Sequence, residues 1–137
     1  MCHVLAGAAR YSGMNVYLID DDANLRQAVA RVIERFGLRV LGEAGNGAEA
    51  LSALVMLRPD LIISDCQMPV MDGLSFARRF RATGRRTPML MLSGQCSEEV
   101  VVAAIDAGFN GFVLKPVTGH LLADAIRLVL PDFHCAA

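Results

Sequence analysis

Polar side chains stand at the ends of short apolar runs in this chain. Asp65 ends an isoleucine-rich run that begins at Leu61, and Asp20 follows a second apolar run. Two further runs end at Ser93 and Lys115. Such runs are typical of buried parallel strands, and doubly wound α/β domains bind ligands at the carboxyl ends of these strands. We therefore expect these polar side chains to share one site.

The acidic part of this site predicts a divalent cation. Asp20, Asp21 and Asp22 are consecutive, and Asp65 would join them at the same sheet edge. Two carboxylates about 4 Å apart repel each other by roughly 4 kcal/mol at an effective dielectric constant near 20, so the acids need a cation or must be protonated. An oxygen-only ligand set with open positions suits Mg²⁺. Three carboxylates, one Mg²⁺ and the ammonium of Lys115 give a formal charge of zero.

Each of these residues also has a simpler interpretation. Asp65 can cap the helix that follows it, and one of the three consecutive acids is expected to cap the first helix, because Asp is a strong N-cap residue. Ser93 can be an ordinary turn residue, and Lys115 can be a solvated strand end. We favour a shared site because four different strands bring polar groups to the same edge.

The composition predicts one compact domain. The chain has 137 residues, of which 54% are hydrophobic, and a formal net charge of -1. This charge gives no electrostatic reason to expect direct binding to nucleic acid. No run approaches the roughly 18 apolar residues of a membrane span, so we expect no membrane association and a cytoplasmic location. The cysteine spacing favours reduced thiols over a disulfide framework or a zinc site. The four cysteines are Cys2, Cys66, Cys96 and Cys135.

Strand and helix patterns alternate five times. We place the domain at 15–130, between an N-terminal extension, 1–14, that can be disordered and a C-terminal tail, 131–137. The strands are predicted at 16–19, 39–41, 61–65, 89–92 and 111–114. Each is followed by an amphipathic helical pattern, which predicts a parallel sheet covered by helices and joined by right-handed crossovers.

Details of the helices also follow from the pattern. Asn46 and Glu49 predict a capping box for a second helix that runs to Leu57. The apolar stripes of the first and last helices include Ala28 and Leu121, which we expect to face inward. Three arginines of the first helix are expected to be solvated or to face an acidic partner helix. They are Arg26, Arg31 and Arg35.

Motifs at the ends of four predicted strands, taken in order, resemble those of the receiver domain of two-component response regulators. They are Asp20-Asp21, Asp65 in the segment Asp-Cys-Gln-Met-Pro-Val-Met-Asp-Gly, Ser93-Gly94 and Lys115-Pro116. The similarity covers about residues 15 to 130. It implies an α/β, flavodoxin-like three-layer sandwich, in which five helices cover a five-stranded parallel sheet of order 2-1-3-4-5.

The resemblance assigns roles to single residues. It implies that Asp65 is the phosphoacceptor and that Asp20, Asp21, Asp65 and the backbone carbonyl of Gln67 hold Mg²⁺ or Mn²⁺. Lys115 would pair with the phosphate, and the peptide bond between Lys115 and Pro116 would be cis. Ser93 would provide the switch hydroxyl, and Phe112 would be the switch aromatic. Gln67 and Gln95 would be the two amides that tune dephosphorylation.

The implied function is that of a signalling switch. A sensor histidine kinase or a histidine phosphotransfer protein would donate the phosphoryl group, and the domain would catalyse its own phosphorylation and slow dephosphorylation. Phosphorylation would change the face formed by the fourth helix, fifth strand and fifth helix, which a downstream output protein or domain would recognise. The chain is expected either to act alone or to be part of a longer regulator.

Other functions remain open. A haloacid-dehalogenase-like phosphatase would also use an aspartyl nucleophile, but it places a second Asp two residues later, where this chain has Gln67. A flavodoxin would need a Ser/Thr-rich phosphate loop after the first strand. A receiver-like interaction module that works without phosphorylation is the third alternative. The two cysteines beside the site, Cys66 and Cys96, are expected to be packing or surface thiols.

Overall fold

Five parallel strands form the centre of the computed structural model, which describes residues 14–130. The strands are β1 (Asn15–Ile19), β2 (Arg39–Ala44), β3 (Leu61–Asp65), β4 (Met89–Ser93) and β5 (Gly111–Leu114). The helices are α1 (Ala23–Arg35), α2 (Gly47–Leu54), α3 (Gly73–Ala82), α4 (Glu98–Ala107) and α5 (Gly119–Val129). The strand order β2-β1-β3-β4-β5 confirms the predicted topology.

The sheet lies between two helical layers, each with its own apolar core. On one face, side chains such as Ile63 and Leu90 pack with α1 and α5. On the other face, their neighbours Ile62 and Met89 pack with α2, α3 and α4. The central strands β3 and β4 are buried along their whole length, which explains why their sequences are almost continuously apolar.

Side-chain caps begin all five described helices. The N-cap residues are Asp22, Asn46, Asp72, Ser97 and Thr118. Asp22 is therefore the capping acid of the first cluster, whereas Asp65 caps no helix, because Asp72 caps α3. This result excludes the simpler interpretation of Asp65.

Several local predictions were wrong. Half of the predicted capping box is present, because Asn46 Oδ1 accepts the backbone N–H of Glu49 at 3.0 Å. The other half is wrong, because the Glu49 carboxylate accepts the backbone N–H of Gly45 rather than that of Asn46. Helix α2 ends at Leu54, before the predicted end at Leu57. The side chain of Leu121 is 45% exposed, and Ala28 is also exposed, because both lie at the margin of their helix's apolar stripe.

Strand β2 extends to Ala44, three residues beyond the predicted end. A glycine explains the extension, because a Cβ at Gly42 would lie only 2.9 Å from the Tyr17 ring. The absence of this carbon lets the two strands approach each other over a buried tyrosine.

Residues 1–13 and 131–137 lie outside the described residues, so the predictions for both ends stay predictions. Within residues 14–130, no helix is long and apolar enough to cross a membrane.

The loop between β3 and α3 contains a strained residue. Val70 has a φ of 68°, and the N–H of Met71 donates to the carbonyl of Pro69 at 2.7 Å, which forms a γ-turn. A β-branched residue rarely adopts this conformation, which costs roughly 1 kcal/mol or more. Val70 is 85% exposed, so little packing energy compensates for the strain.

Replacing Val70 with asparagine should therefore stabilise the protein. Asn adopts a positive φ more readily than a β-branched residue does, and we expect the free energy of unfolding to rise by about 1 kcal/mol. Urea unfolding followed by circular dichroism would measure the change. A decrease in stability with an unchanged denaturant slope would show that Val70 is not strained.

Candidate functional site

The carboxyl ends of four strands bring the predicted site residues together. In the sheet register, Ile19 of β1 pairs with Ser64 of β3, and Asp65 pairs with Leu92 of β4. The residues that follow β1 and β3 therefore start at neighbouring positions along the edge. Ser93, the last residue of β4, accepts the backbone N–H of Lys115 through its carbonyl at 2.8 Å.

Three carboxylates converge at this edge. One oxygen from each of Asp20, Asp21 and Asp65 lies within 4.8 Å of the other two. Asp20 and Asp65 are buried, with 3% and 6% of their surface exposed, whereas Asp21 is exposed. The predicted grouping of these acids is therefore present, and the third consecutive acid, Asp22, is used as the cap of α1.

Asp20 has one carboxylate oxygen without a partner. Its Oδ1 accepts the backbone N–H of Asp22 at 2.9 Å, but its Oδ2 is buried and has no hydrogen-bond partner among the described residues. Burial raises the pKa of Asp20 to about 6; the hydrogen bond from Asp22 opposes this shift, and the charge of Asp65 adds to it. An ionised Asp20 is thus destabilised in the folded protein when no cation is near.

This geometry makes a testable prediction about stability. The pKa of Asp20 is about 6 in the folded protein against an ordinary value of 3.8, so the folded state binds more protons than the unfolded state between these pH values. The stability penalty of ionised Asp20 should therefore be absent below pH 3.8 and complete above pH 6. The Asp20→Asn variant removes this penalty and keeps an oxygen for Asp22.

In a chelator, we expect Asp20→Asn to raise the free energy of unfolding by about 2 kcal/mol at pH 7.5 and by much less at pH 4. Urea unfolding at both pH values would measure the difference. The exposed Asp106→Asn variant on α4 is a control that should change stability little. A variant less stable than wild type at pH 7.5 would contradict the proposed electrostatic penalty.

Asp65 is held by two donors. The Lys115 ammonium lies 2.9 Å from its Oδ1, and the backbone N–H of Cys66 donates to the same oxygen at 2.9 Å. Burial lowers the pKa of Lys115, but the hydrogen bond from Lys115 to Asp65 and the charges of Asp65, Asp20 and Asp21 outweigh burial and raise it. Lys115 therefore stays protonated beside the acids. The bond from Lys115 to Pro116 is cis, as predicted.

The segment after Asp65 is fixed by close backbone contact. The N–H of Gly73 donates to the carbonyl of Cys66 at 2.8 Å. A Cβ at Gly73 would overlap the carbonyl oxygen of Asp65 and lie 3.2 Å from its carbonyl carbon. Only glycine fits this contact without displacement of the strand end that carries Asp65.

An open cleft of about 610 Å³ lies beside Asp65. Its lining includes Gln67, Ser93, Gln95 and Lys115, so the structure brings the predicted switch hydroxyl and both predicted tuning amides to the same opening. The Ser93 hydroxyl is bonded locally, since it accepts the N–H of Gln95 and donates to the carbonyl of Gln95, both at 3.1 Å.

Phe112, on β5, is not among the described residues that line this cleft. Its ring is partly buried and packs against the core shared by the sheet, α2, α3 and α4. Because Phe112 is only partly buried, its surroundings leave part of the ring in contact with solvent. Its predicted role as a switch aromatic stays a prediction.

The two cysteines beside the site differ in exposure. Cys66 is partly buried and Cys96 is exposed. Burial raises the pKa of Cys66, and the charges of Asp65 and Asp72 raise it further. A thiol with a raised pKa is a poor nucleophile, which supports the interpretation of Cys66 as a packing residue.

Sequence reasoning missed one residue next to the acids. Arg26 was expected to be solvated or to face a partner, but its side chain is only 22% exposed and its Nη1 donates to the carbonyl of Asp20 at 2.5 Å. No sequence signal identifies this contact, because a long side chain at the start of an amphipathic helix usually reaches into solvent.

The arrangement fits a hard divalent cation. Two buried carboxylates, one of which has an unpartnered oxygen, and an exposed third carboxylate form an oxygen-only donor set of the type that Mg²⁺ and Mn²⁺ prefer. The neighbouring ammonium of Lys115 adds a positive charge to the site, which would attract an anionic group.

Comparisons with known proteins agree with this geometry. A family model described as the response regulator receiver domain matches residues 16–127. Protein-glutamate methylesterase/protein-glutamine glutaminase 3 of Hahella chejuensis is 41% identical over 106 residues, which are 75% of this chain and 30% of that protein. Transcriptional regulatory protein PdtaR of Mycobacterium tuberculosis is 33% identical over 118 residues, which are 86% of this chain and 57% of that protein.

The chain thus spans between 30% and 57% of the length of these two relatives. Among solved structures, chemotaxis response regulator CheY4 of Vibrio cholerae has a TM-score of 0.79 and 34% identity, covering 85% of this chain and 98% of that one. A Francisella response regulator receiver domain has a TM-score of 0.76 and 26% identity, covering 88% of this chain and 97% of that one. The chain belongs to the receiver domain family of two-component response regulators.

Proposed function

We propose that Asp65 accepts a phosphoryl group from a phosphohistidine of a sensor histidine kinase or a histidine phosphotransfer protein. One observation carries this proposal: a buried carboxylate at the end of β3 contacts an ammonium, shares a cluster with two other acids and opens onto a cleft. Its carboxylate is held at the strand end, so it needs little reorganisation before it attacks a donor.

The reaction transfers the phosphoryl group from a histidine nitrogen to a carboxylate oxygen. A carboxylate oxygen of Asp65 attacks the phosphorus in line, the P–N bond of the phosphohistidine breaks, and its electron pair returns to the imidazole, which is protonated. Lys115 holds the carboxylate in place and contributes a positive charge near the product, because its pKa is raised. Hydrolysis of the acyl phosphate by water later restores Asp65.

Asp20, Asp21, Asp65 and the backbone carbonyl of Gln67 would hold Mg²⁺ or Mn²⁺. When bound, the ion supplies positive charge that stabilises the oxygens of the transferred group. The unpartnered Oδ2 of Asp20 supports this assignment, since an ion would satisfy the one buried side-chain oxygen of the described residues that has no partner. Asp21, which is exposed, would complete the set from the solvent side.

The signal would travel through Ser93. Among residues 14–130, its hydroxyl is bonded only to the backbone of Gln95, so it can exchange these bonds for a phosphoryl oxygen. Movement of Ser93 toward Asp65 would open space that Phe112 can fill from β5. The surface formed by α4, β5 and α5 would then differ between the two states, and an output protein or domain would recognise the difference.

The closest test of this function uses a small-molecule donor. Incubation with acetyl phosphate and Mg²⁺ should add one phosphoryl group per chain, and hydroxylamine should remove it, because acyl phosphates are cleaved by this nucleophile. A chelator should prevent the reaction. Absence of a hydroxylamine-labile adduct in the presence of Mg²⁺ would overturn the proposal.

The lifetime of the phosphorylated state should depend on two amides. Gln67 and Gln95 line the cleft beside Asp65, where neutral long side chains can partly shield the phosphoryl group from water. We therefore expect moderate to slow self-dephosphorylation. Replacement of both amides with alanine should accelerate the decay several-fold, as measured by loss of the adduct after the donor is removed. An unchanged decay rate would exclude this role.

The relatives of this chain differ in the output that they control. The two curated relatives named above are a methylesterase/glutaminase and a transcriptional regulator, and both are longer than this chain. We propose that this domain likewise controls a separate output protein or domain in the cytoplasm. Phosphotransfer profiling against candidate sensor kinases would identify the donor.

A further inference from the structure

Arg26 reaches back from the first turn of α1 to the loop that carries the acidic cluster. Its Nη1 donates to the backbone carbonyl of Asp20 at 2.5 Å, and its Nε donates to the Glu43 carboxylate on β2 at 3.0 Å. The guanidinium therefore ties three elements together: the β1–α1 loop, α1 and β2. Both charged side chains are partly exposed, at 22% for Arg26 and 39% for Glu43.

The contact from Arg26 completes the restraint of Asp20. The N–H of Asp20 donates to the carbonyl of Ala44 at 3.0 Å, its Oδ1 accepts from Asp22, and its carbonyl accepts from Arg26. Every other polar atom of Asp20 is thus engaged, and Oδ2 is the atom left without a partner within the described part of the chain. The carboxylate is held in one orientation, with one oxygen directed to the acidic cluster.

The charge of Arg26 opposes this positioning effect. A positive charge near a cation site should weaken cation binding by Coulomb repulsion. Positioning should strengthen it, because groups that orient metal ligands typically change metal affinity by 10–100-fold. The two effects therefore predict opposite results when the guanidinium is removed.

We propose that Arg26, anchored by Glu43, is a positioning residue that orients Asp20 for divalent cation binding. Arg26 touches neither the cation nor the phosphoryl group, and it acts through the Asp20 backbone. This inference rests on the proposed function, because it requires the acids to bind a cation. It adds Arg26 to a site that otherwise consists of the acids, Ser93 and Lys115.

The test is Mn²⁺ binding measured by isothermal titration calorimetry without any phosphoryl donor. Arg26→Met keeps the aliphatic stem but removes the charge and both hydrogen bonds, and we expect the dissociation constant to rise about tenfold. Arg26→Lys keeps the charge, but one ammonium cannot reproduce the guanidinium's two directed bonds, so binding should also weaken. Arg31→Met removes an exposed charge from the same helix and should leave binding unchanged.

Thermal unfolding of the metal-free variants separates positioning from general stability. A merely structural role would lower the unfolding temperature and leave the dissociation constant of the folded protein unchanged. Arg26→Met that binds Mn²⁺ as tightly as wild type, or more tightly, would overturn the inference and leave the proposed function intact. If Arg26→Met does not fold, unchanged binding by Arg26→Lys would overturn it. Wild-type protein that binds no Mn²⁺ would overturn both the inference and the proposed metal site.

Discussion

Replacement of Asp65 with asparagine should abolish phosphorylation by acetyl phosphate and Mg²⁺. The amide has nearly the same shape, but its oxygen carries no full negative charge and cannot form an acyl phosphate at this position. The variant also removes the anionic partner of Lys115, whose ammonium lies 2.9 Å from the carboxylate in the wild-type protein. We expect incorporation to fall at least a hundredfold.

A neighbouring acid provides the matched control. Asp22 caps α1 through its side-chain oxygen, and asparagine is an equally good N-cap residue, so Asp22→Asn should keep both the helix and most of the phosphorylation. Quantitative mass spectrometry of the intact chains would compare the variants. If Asp65→Asn were labelled as strongly as wild type, Asp65 would not be the phosphoacceptor.

The second large effect is expected at Gly73. A Cβ at this position would overlap the carbonyl oxygen of Asp65, and the obstacle is backbone rather than a flexible side chain. The Gly73→Ala variant must therefore displace either the start of α3 or the end of β3. We expect the free energy of unfolding to fall by about 3 kcal/mol, at the upper end of the range for overpacking. Urea unfolding would measure the loss.

Gly119 is the matched control for this substitution. It also occupies the first position of a helix after its N-cap residue, but the nearest atom to a Cβ there lies 3.7 Å away, in ordinary van der Waals contact. Gly119→Ala should therefore be neutral or slightly stabilising. Equal stability losses at the two positions would show that the close contact with Asp65 is not the cause.

The sequence pattern predicted five parallel strands alternating with helices because its signals are strong and local, whereas the strand order was implied by the family resemblance. Short apolar strands alternate with amphipathic stripes, and capping residues such as Ser97 and Thr118 stand where the helices begin. The grouping of Asp20, Asp21 and Asp65 followed from the rule that parallel strands place their carboxyl ends along one edge. The sequence pattern was sufficient to locate a residue whose position depends only on the end of its own strand.

Other features depend on tertiary contacts that leave no local pattern. The residue pattern alone does not distinguish three consecutive aspartates, and the structure shows that Asp22 is the one that caps α1. The contact of Arg26 depends on how α1 crosses the loop before it, and the positive φ of Val70 is imposed by the turn around it. A valine would not have been predicted in that conformation, since glycine and asparagine adopt it far more readily.

The local cost at Asp20 and the proposed chemistry have the same origin. A buried carboxylate oxygen without a partner and a raised pKa would be a defect in a purely structural domain. Beside two other acids and a protonated lysine, the same oxygen would be a preformed ligand for the proposed cation. The domain is therefore expected to be more stable with a divalent cation than without one, as linkage requires for any ligand that binds the folded state.

The identity of the phosphoacceptor can be measured directly. Borohydride reduces an aspartyl phosphate to homoserine, which marks the modified position permanently. After incubation with acetyl phosphate and Mg²⁺, reduction and peptide mapping should find homoserine at position 65 and at no other aspartate. Reduction at Asp20 or Asp21 instead, or a phosphoryl group on Ser93 or a histidine with position 65 unmodified, would contradict the assignment of Asp65 as the phosphoacceptor.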